Sequence, residues 1–236
     1  KKMKLSIVIA TYYRKDGNSL KYLTRALDSV FNQTHQDFKI YLIGDKYEHE
    51  NEILSLLNNY DNRIYFKNLT IAKERDVYKD SRIIWAYGGV NAVNEGIDIS
   101  LIDNNYYICH LDHDDYWDIN HLSLINDCIE KTNSDWICTK SVYINQEFPK
   151  IISDSLYINF LPKPERLIHS SVCMNFKTIP LKYKNIFEET GEIGLPSDAE
   201  LWKRCASFIE NNNLKSTLIN KITCFHLEEG YERNNK

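Results

Sequence analysis

Short apolar runs alternate along the first half of the chain with longer stretches whose apolar residues recur every three or four positions. The short runs predict buried strands, and the longer spacing predicts amphipathic helices. Leu5–Ala10 is almost uniformly apolar, which is typical of a strand that is covered on both faces. The predicted strands are Leu5–Ala10, Phe38–Ile43, Arg63–Lys67 and Tyr106–Leu111. The predicted helices between and after them are Leu20–Phe31, Glu52–Tyr60, Ile83–Ile97 and Ile119–Lys131.

The second half of the chain shows a less regular pattern. It contains a connection interrupted by Pro149, Pro162 and Pro164, and its predicted elements are strands at Trp136–Ile144, Ile168–Asn175 and Leu218–Phe225 and a helix at Pro196–Glu210. The repeated strand–helix order of the first half predicts an α/β fold with a Rossmann-like, mostly parallel central sheet flanked by helices. No internal repeat or linker divides the sequence, so we expect residues 1–236 to form a single domain.

Three local features carry predictions of their own. Leu69–Ser81 is polar and mixed in charge, which predicts a loop. Gly88 and Gly89 fall inside the third predicted helix, where they should cost about 1–2 kcal/mol relative to alanines. Two glycines there indicate close packing against the sheet or room for a ligand. Ser197 and Glu200 have the spacing of a capping box at the start of the last helix.

Composition and charge narrow the classes of function. The 236 residues carry a formal charge of −4 and the pI is near 6.0, which gives no case for nucleic acid or an anionic membrane as partner. The six cysteines include no C-x-x-C pair, so we expect buried free thiols rather than zinc or redox chemistry. No signal peptide or long apolar span is evident, so we expect a soluble, cytoplasmic protein without a transmembrane segment.

A cluster of acids follows the fourth predicted strand. Asp112, Asp114 and Asp115 lie within four positions, and like charges this close are costly without a cation or strong hydrogen bonds. Open α/β sheets bind ligands at this end of their strands. An EF-hand is excluded, because Trp117 stands where glycine is required and Ser123 where the bidentate glutamate belongs. A site for a divalent ion that carries a phosphate ligand is therefore favoured over a solvated acidic turn.

Several short motifs occur along the chain in a fixed order. They are Ser6–Arg14, Ser29–Thr34, Asp45, Lys73–Arg75, Leu111–Trp117, Ser197–Arg204 and His226. Taken together on their predicted elements, they resemble the inverting family-2 glycosyltransferases with the GT-A fold. The resemblance runs from Leu5 to His226. It implies a nucleotide-sugar-binding half at about 1–118 and a smaller, mixed acceptor-side region within about 119–236.

The resemblance also implies a role for each candidate site residue. Asp114 would bind Mn²⁺ or Mg²⁺, a hard cation that neutralises the departing diphosphate. His226 matches a third metal ligand of some relatives, and Asp112 the acid that helps to hold the ribose. Asp198 matches the catalytic base. The remaining nucleotide contacts fall on Thr11, Tyr13, Asp45 and Arg75. Of these, Asp45 would accept a hydrogen bond from a ring N–H of the base.

Simpler interpretations of these residues stay open. The chain has Gly44-Asp45-Lys46-Tyr47 where the family usually has a pair of acids followed by Gly-Ser, so Asp45 could be a turn aspartate. Asp198 could be a first-turn acid stabilised by the helix dipole. Arg75 could be an exposed arginine in a charged loop, and a lone histidine such as His226 is more often structural.

The implied reaction is transfer of a sugar from a nucleoside-diphosphate sugar to a hydroxyl of a saccharide or glycoconjugate acceptor. Uridine is the expected nucleoside, although an aspartate that faces a ring N–H suits thymine or guanine equally. A sugar nucleotidyltransferase is disfavoured, because Thr11–Gly17 contains one glycine where those enzymes carry a glycine-rich loop. A non-catalytic nucleotide-sugar or metal-binding module is the alternative from another class, and it would need no base at Asp198.

Overall fold

The central sheet begins with the parallel strands that the sequence predicts. The computed structural model describes residues 3–164 and 167–227. Its first strands are β1 (Leu5–Thr11), β2 (Phe38–Gly44), β3 (Ile64–Asn68) and β4 (Tyr107–His110). They are parallel and lie in the order β3-β2-β1-β4, so their carboxyl ends share one edge of the sheet.

The second half of the chain extends the same sheet with mixed strands. These are β5 (Tyr116–Trp117), β6 (Trp136–Tyr143), β7 (Gln146–Phe148), β8 (Tyr157–Asn159), β9 (Val172–Asn175) and β10 (Ser216–His226). The order continues from β4 as β9-β6-β10-β5, with β9 antiparallel to both of its neighbours and β6 parallel to β10. The predicted α/β class with a mostly parallel central sheet is confirmed.

Helices flank this sheet. They are α1 (Ser19–Phe31), α2 (Glu50–Leu57), α3 (Lys73–Val77), α4 (Ser81–Tyr87), α5 (Val90–Ile102), α6 (His121–Thr132), α7 (Ile186–Thr190) and α8 (Ser197–Asn211). In the part of the chain that the structure describes, none of them is long and apolar enough to cross a bilayer.

Two hydrophobic cores cover the two faces of the sheet, and β1 contributes to both. Ile7 and Ile9 point into a core with apolar residues of α1 and α6, whereas Val8 points into a core with residues of α5 and α8. This alternation explains why the strand is apolar at nearly every position. The six cysteines are free and buried, as expected.

The glycine pair divides one predicted helix into two. The helix predicted at Ile83–Ile97 is replaced by α4 and α5, and the break falls at Gly88 and Gly89. Gly89 has a φ of +93°, a left-handed conformation that ends regular helix geometry and that side chains with a Cβ rarely adopt. The prediction of one continuous helix is therefore wrong at this point.

Three further local predictions are corrected. The predicted loop Leu69–Ser81 contains α3, and the first part of the predicted strand Ile168–Asn175 is a 3₁₀ turn at His169–Ser171. The capping box is absent from α8, which has Pro196 as its N-cap and no side-chain cap. Glu200 instead accepts hydrogen bonds from Arg204, one turn later, at 2.7 and 2.8 Å.

The close approach of α5 to the sheet depends on Gly96. A Cβ at this position would lie 2.7 Å from Val8 Cγ1, and the stiff β-branched side chain of Val8 has little room to withdraw. We expect Gly96→Ala to lower the free energy of unfolding by about 1–3 kcal/mol. The loss should occur although alanine raises helix propensity by about 1 kcal/mol. Denaturant titration measures it.

A double-mutant cycle isolates this contact. In a Val8→Ala background the Cγ atoms are absent, so Gly96→Ala should cost clearly less than it does in the natural sequence. Equal costs in the two backgrounds would show that the close approach to Val8 is not the cause.

Candidate functional site

The candidate site lies at the carboxyl edge of the sheet, where several strands end together. Thr11 ends β1, Asp45 follows β2, the acidic loop follows β4, and His226 ends β10. Because parallel strands end at the same edge, residues distant in sequence meet there, as is typical of ligand sites in open α/β sheets.

Hydrogen bonds from β10 and the 3₁₀ turn hold the acidic loop. Asp115 is fully buried, and its carboxylate accepts one hydrogen bond from Ser170 Oγ at 2.5 Å and another from His226 Nδ1 at 2.8 Å. Ser170 Oγ also accepts the backbone N–H of Asp112 at 2.9 Å. The loop conformation is therefore fixed by residues that lie more than fifty positions away.

The buried pair Asp115–His226 shifts the pKa of both groups. Burial raises the pKa of Asp115, and the hydrogen bond from His226 opposes that shift. Burial by itself would lower the pKa of His226, but the hydrogen bond and charge of Asp115 outweigh it and raise that pKa to about 9. Each partner thus stabilises the charged form of the other.

Three of these side chains form a group that could hold a metal ion. One ligand atom from each of Asp112, Asp115 and His226 lies within 4.8 Å of the other two. Carboxylate oxygens and imidazole nitrogen form a donor set that suits Mn²⁺, so the residues present fit the ion that the sequence predicts. With Nδ1–H hydrogen-bonded to Asp115, Nε2 would be the nitrogen available to a metal ion once it has lost its own proton, an arrangement common in metal sites.

Asp114, the acid predicted to bind the metal, lies outside this group. Its Oδ2 is 3.3 Å from Nη1 of Arg14, and its backbone oxygen accepts a hydrogen bond from Arg25 Nη2 at 2.6 Å. His226, the other predicted ligand, is inside the group. The structure therefore places the two predicted ligands in different immediate surroundings.

Asp45 has one carboxylate oxygen engaged and one unpaired. Oδ2 accepts a hydrogen bond from Arg75 Nε at 3.0 Å, whereas Oδ1 is buried and has no hydrogen-bond partner within residues 3–164 and 167–227. Burial raises the pKa of Asp45, and the Arg75 guanidinium opposes the shift. A buried acceptor without a donor is costly, and a ligand N–H would relieve that cost.

Aromatic and histidine rings pack in series from the arginine that binds this carboxylate. The Arg75 guanidinium lies 3.6 Å from the ring centroid of Tyr12, which stacks on His113 with centroids 5.0 Å apart. Thr11 is buried, and its hydroxyl lies 2.8 Å from His113 Nδ1. The ring of Tyr13 packs separately, with its centroid 4.3 Å from that of His49 and 5.8 Å from that of Tyr47.

Asp198 lies in the first turn of α8. Its Oδ1 accepts a hydrogen bond from the backbone N–H of Ala199 at 2.7 Å. Burial raises the pKa of Asp198, and the positive charge of His169 acts in the opposite direction. The pKa thus moves towards the range where a carboxylate is a stronger base.

Sequence reasoning missed His169 and Ser170, which contact the acidic loop, and Tyr183, which contacts His169. His169 Nδ1 lies 2.8 Å from Asp112 Oδ1, and its Nε2 lies 2.8 Å from Tyr183 Oη. The available signal was the polar sequence His-Ser-Ser at positions 169–171, inside a segment predicted as a buried strand.

Comparison of sequences with known proteins gives the family. The model of "Glycosyl transferase family 2" matches residues 6–225. An uncharacterized glycosyltransferase of Acanthamoeba polyphaga mimivirus is 37% identical over 242 residues, covering 98% of this chain and 97% of that protein. An uncharacterized glycosyltransferase of Rickettsia bellii is 27% identical over 202 residues, covering 84% of this chain and 26% of that protein.

Solved structures share the fold at low sequence identity. TarS of S. aureus in complex with UDP has a TM-score of 0.67 and 15% identity, and the match covers 95% of this chain and 60% of that one. The mannosyltransferase PcManGT of Pyrobaculum calidifontis, in complex with GDP-Man and Mn²⁺, has a TM-score of 0.63 and 8% identity, with 98% and 59% covered. The family match, the mimivirus relative and the shared GT-A fold together show that this chain belongs to glycosyl transferase family 2 and is a glycosyltransferase.

Proposed function

We propose that the protein is a metal-dependent, inverting glycosyltransferase that uses a nucleoside-diphosphate sugar, with uridine as the favoured nucleoside. The observation that carries this proposal is the group of Asp112, Asp115 and His226 at the sheet edge. The acceptor is a hydroxyl of a saccharide or glycoconjugate. Within a single domain, a half at about 1–118 binds the donor and a half at about 119–236 forms the acceptor side.

The donor half supplies the nucleotide contacts. The unpaired Oδ1 of Asp45 accepts a hydrogen bond from the ring N–H of uracil, while Arg75 donates to Oδ2 and opposes the upward shift that burial gives to the pKa of this carboxylate. Tyr13 and the end of β1 at Thr11 line the base, and Asp112 holds the ribose. TarS has been solved with UDP and with UDP-GlcNAc, which supports a uridine donor here.

A divalent ion is assigned to the acidic loop. Asp112 and His226 of that group would hold it together with Asp114, which lies outside the group in the same loop, and Asp115 would orient the imidazole through its hydrogen bond with Nδ1. When bound, Mn²⁺ or Mg²⁺ neutralises the negative charge that develops on the departing diphosphate. Arg14, which lies 3.3 Å from Asp114, adds positive charge beside the same carboxylate.

Asp198 acts as the catalytic base on the acceptor side. In an inverting transfer the acceptor hydroxyl attacks the anomeric carbon opposite the leaving diphosphate, and it must lose its proton as it does so. A positioned carboxylate accelerates such a step by about 10²–10⁴-fold. The burial that raises the pKa of Asp198 strengthens it for this role.

The metal assignment is tested by removing one ligand. Asp114→Asn should abolish detectable release of UDP from UDP-GlcNAc and weaken Mn²⁺-dependent UDP binding, because an amide is a poor ligand for a hard cation. Calorimetry measures the binding. Asp16→Asn is the matched control, since Asp16 also pairs with Arg14, at 3.2 Å, but carries no assigned role. Full activity in the presence of a chelator would refute metal dependence.

The base-recognition assignment is tested by Asp45→Ala. Loss of a hydrogen bond from the uracil N–H to a buried carboxylate should weaken UDP binding by about 10–100-fold. Asp61→Ala is the matched control, because Asp61 also pairs with an arginine, Arg63. Asp61 is exposed and precedes the first residue of β3, so it lies at the amino end of the strands, away from the candidate site. Unchanged UDP affinity in Asp45→Ala would show that the base binds elsewhere.

The catalytic base is tested by Asp198→Asn, which keeps the shape and the hydrogen bond to Ala199 but cannot take a proton. Transfer should fall by at least about a hundredfold with UDP and Mn²⁺ affinity unchanged. Because burial raises the pKa of Asp198 above its ordinary value of 3.8, the acid limb of kcat/KM in the natural enzyme should also lie above that value. If transfer survives and only thermal stability drops, Asp198 serves the helix and not the reaction.

A further inference from the structure

His169 connects the acidic loop to the acceptor half of the protein. It lies in the 3₁₀ turn before β9, and its ring bridges two groups at hydrogen-bond distance. Nδ1 is 2.8 Å from Asp112 Oδ1, and Nε2 is 2.8 Å from Tyr183 Oη. Both ring nitrogens are therefore committed, and neither is left for a substrate.

The donor and the acceptor in the hydrogen bond between His169 and Asp112 can be assigned. A carboxylate can only accept, so Nδ1 of His169 carries a proton and donates it to Asp112. In the neutral imidazole Nε2 accepts from the hydroxyl of Tyr183, whereas in the protonated ring Nε2–H donates to that hydroxyl. In both forms Nδ1–H is directed at Asp112, and the contact between Nε2 and Tyr183 holds the ring in that orientation.

Two hydrogen bonds with Asn94 hold the backbone of Tyr183 in place. The backbone N–H of Tyr183 donates to Asn94 Oδ1 at 3.1 Å, and Asn94 Nδ2 donates to the Tyr183 carbonyl at 2.9 Å. The ring of His169 packs against His110 and Trp202, with centroids 4.9 and 6.5 Å away. Packing on the ring faces and hydrogen bonds at both nitrogens leave His169 with one orientation.

We propose that His169 is a positioning residue that fixes the Asp112 carboxylate towards the metal ion and diphosphate, with Tyr183 as its orienting partner. The inference rests on the proposed function, because it gives Asp112 a donor-side role. Partners of this kind typically change metal affinity or activity by about 10–100-fold when they are removed.

Isosteric substitutions separate positioning from simple packing. In His169→Asn the amide nitrogen can occupy the place of Nδ1, so the hydrogen bond to Asp112 can be kept. In His169→Gln the amide nitrogen reaches the place of Nε2 instead, next to Tyr183. We expect Mn²⁺-dependent UDP binding to fall by about 10–100-fold in His169→Ala, to recover largely in His169→Asn and to stay low in His169→Gln.

The readout is calorimetry with UDP in the presence of Mn²⁺, compared with uridine alone. Uridine keeps the ribose contact to Asp112 but lacks the diphosphate, so its affinity should fall much less than that of UDP with Mn²⁺ in these variants. Tyr183→Phe removes one hydroxyl from a fully packed ring, and it should give a smaller loss of UDP affinity in the same direction. This variant keeps the test valid if His169→Ala proves unstable.

His35→Ala is the matched control. His35 is also a buried histidine with ring hydrogen bonds, because its Nε2 lies 3.0 Å from Met3 O and 3.1 Å from Asp37 O, at the opposite edge of the sheet. Its substitution should lower the melting temperature and leave Mn²⁺-dependent UDP affinity unchanged.

The outcomes distinguish the two proposals. If the natural protein binds UDP with Mn²⁺ but His169→Ala binds it equally well, the positioning role is overturned and the proposed function stands. The positioning role is also overturned if the asparagine and glutamine variants lose affinity equally. If the natural protein shows no Mn²⁺-dependent UDP binding, the proposed function fails first and the role of His169 fails with it.

Discussion

The structure depends on how three neighbouring carboxylates are held at the end of β4. Each of Asp112, Asp114 and Asp115 has a partner of its own: a histidine, an arginine, and a serine–histidine pair, respectively. A cluster of like charges of this kind would be costly if its oxygens were left without donors. The surrounding elements supply these donors, and the cluster can therefore remain at a sheet edge that is open to a ligand.

The need for these donors explains the arrangement of the second half of the chain. His226 comes from the end of β10, and His169 and Ser170 come from the turn before β9. Strand β9 is antiparallel and lies between β4 and β6, which brings that turn directly to the acidic loop. The mixed part of the sheet is thus the support of the site as well as an extension of the core.

Elements that show a periodic pattern of apolar residues were predicted well from the sequence. Features that depend on one backbone conformation or one side-chain bond were not. Sequence analysis predicted three elements nearly to the residue: the strands Leu5–Thr11 and Phe38–Gly44 and the helix Ser19–Phe31. Their buried faces produce runs or regular spacings of apolar residues that can be read from the local sequence. Predictions failed where a backbone conformation or a competing local bond decided the outcome. Gly89 takes a left-handed φ of +93° and ends the helix, and Glu200 pairs with Arg204 in place of a capping box.

The sequence by itself determined the α/β fold, the family resemblance and the acidic cluster on which the predicted site is centred. Motifs such as Asp112-His113-Asp114-Asp115 are contiguous and can be recognised without coordinates. Only the tertiary structure showed which side chains complete the cluster. Asp115 meets His226 across 111 positions and Asp112 meets His169 across 57, and such contacts leave no periodic trace in the sequence. They are set by the order and direction of strands in the sheet, because these alone decide which distant segments end at the same edge.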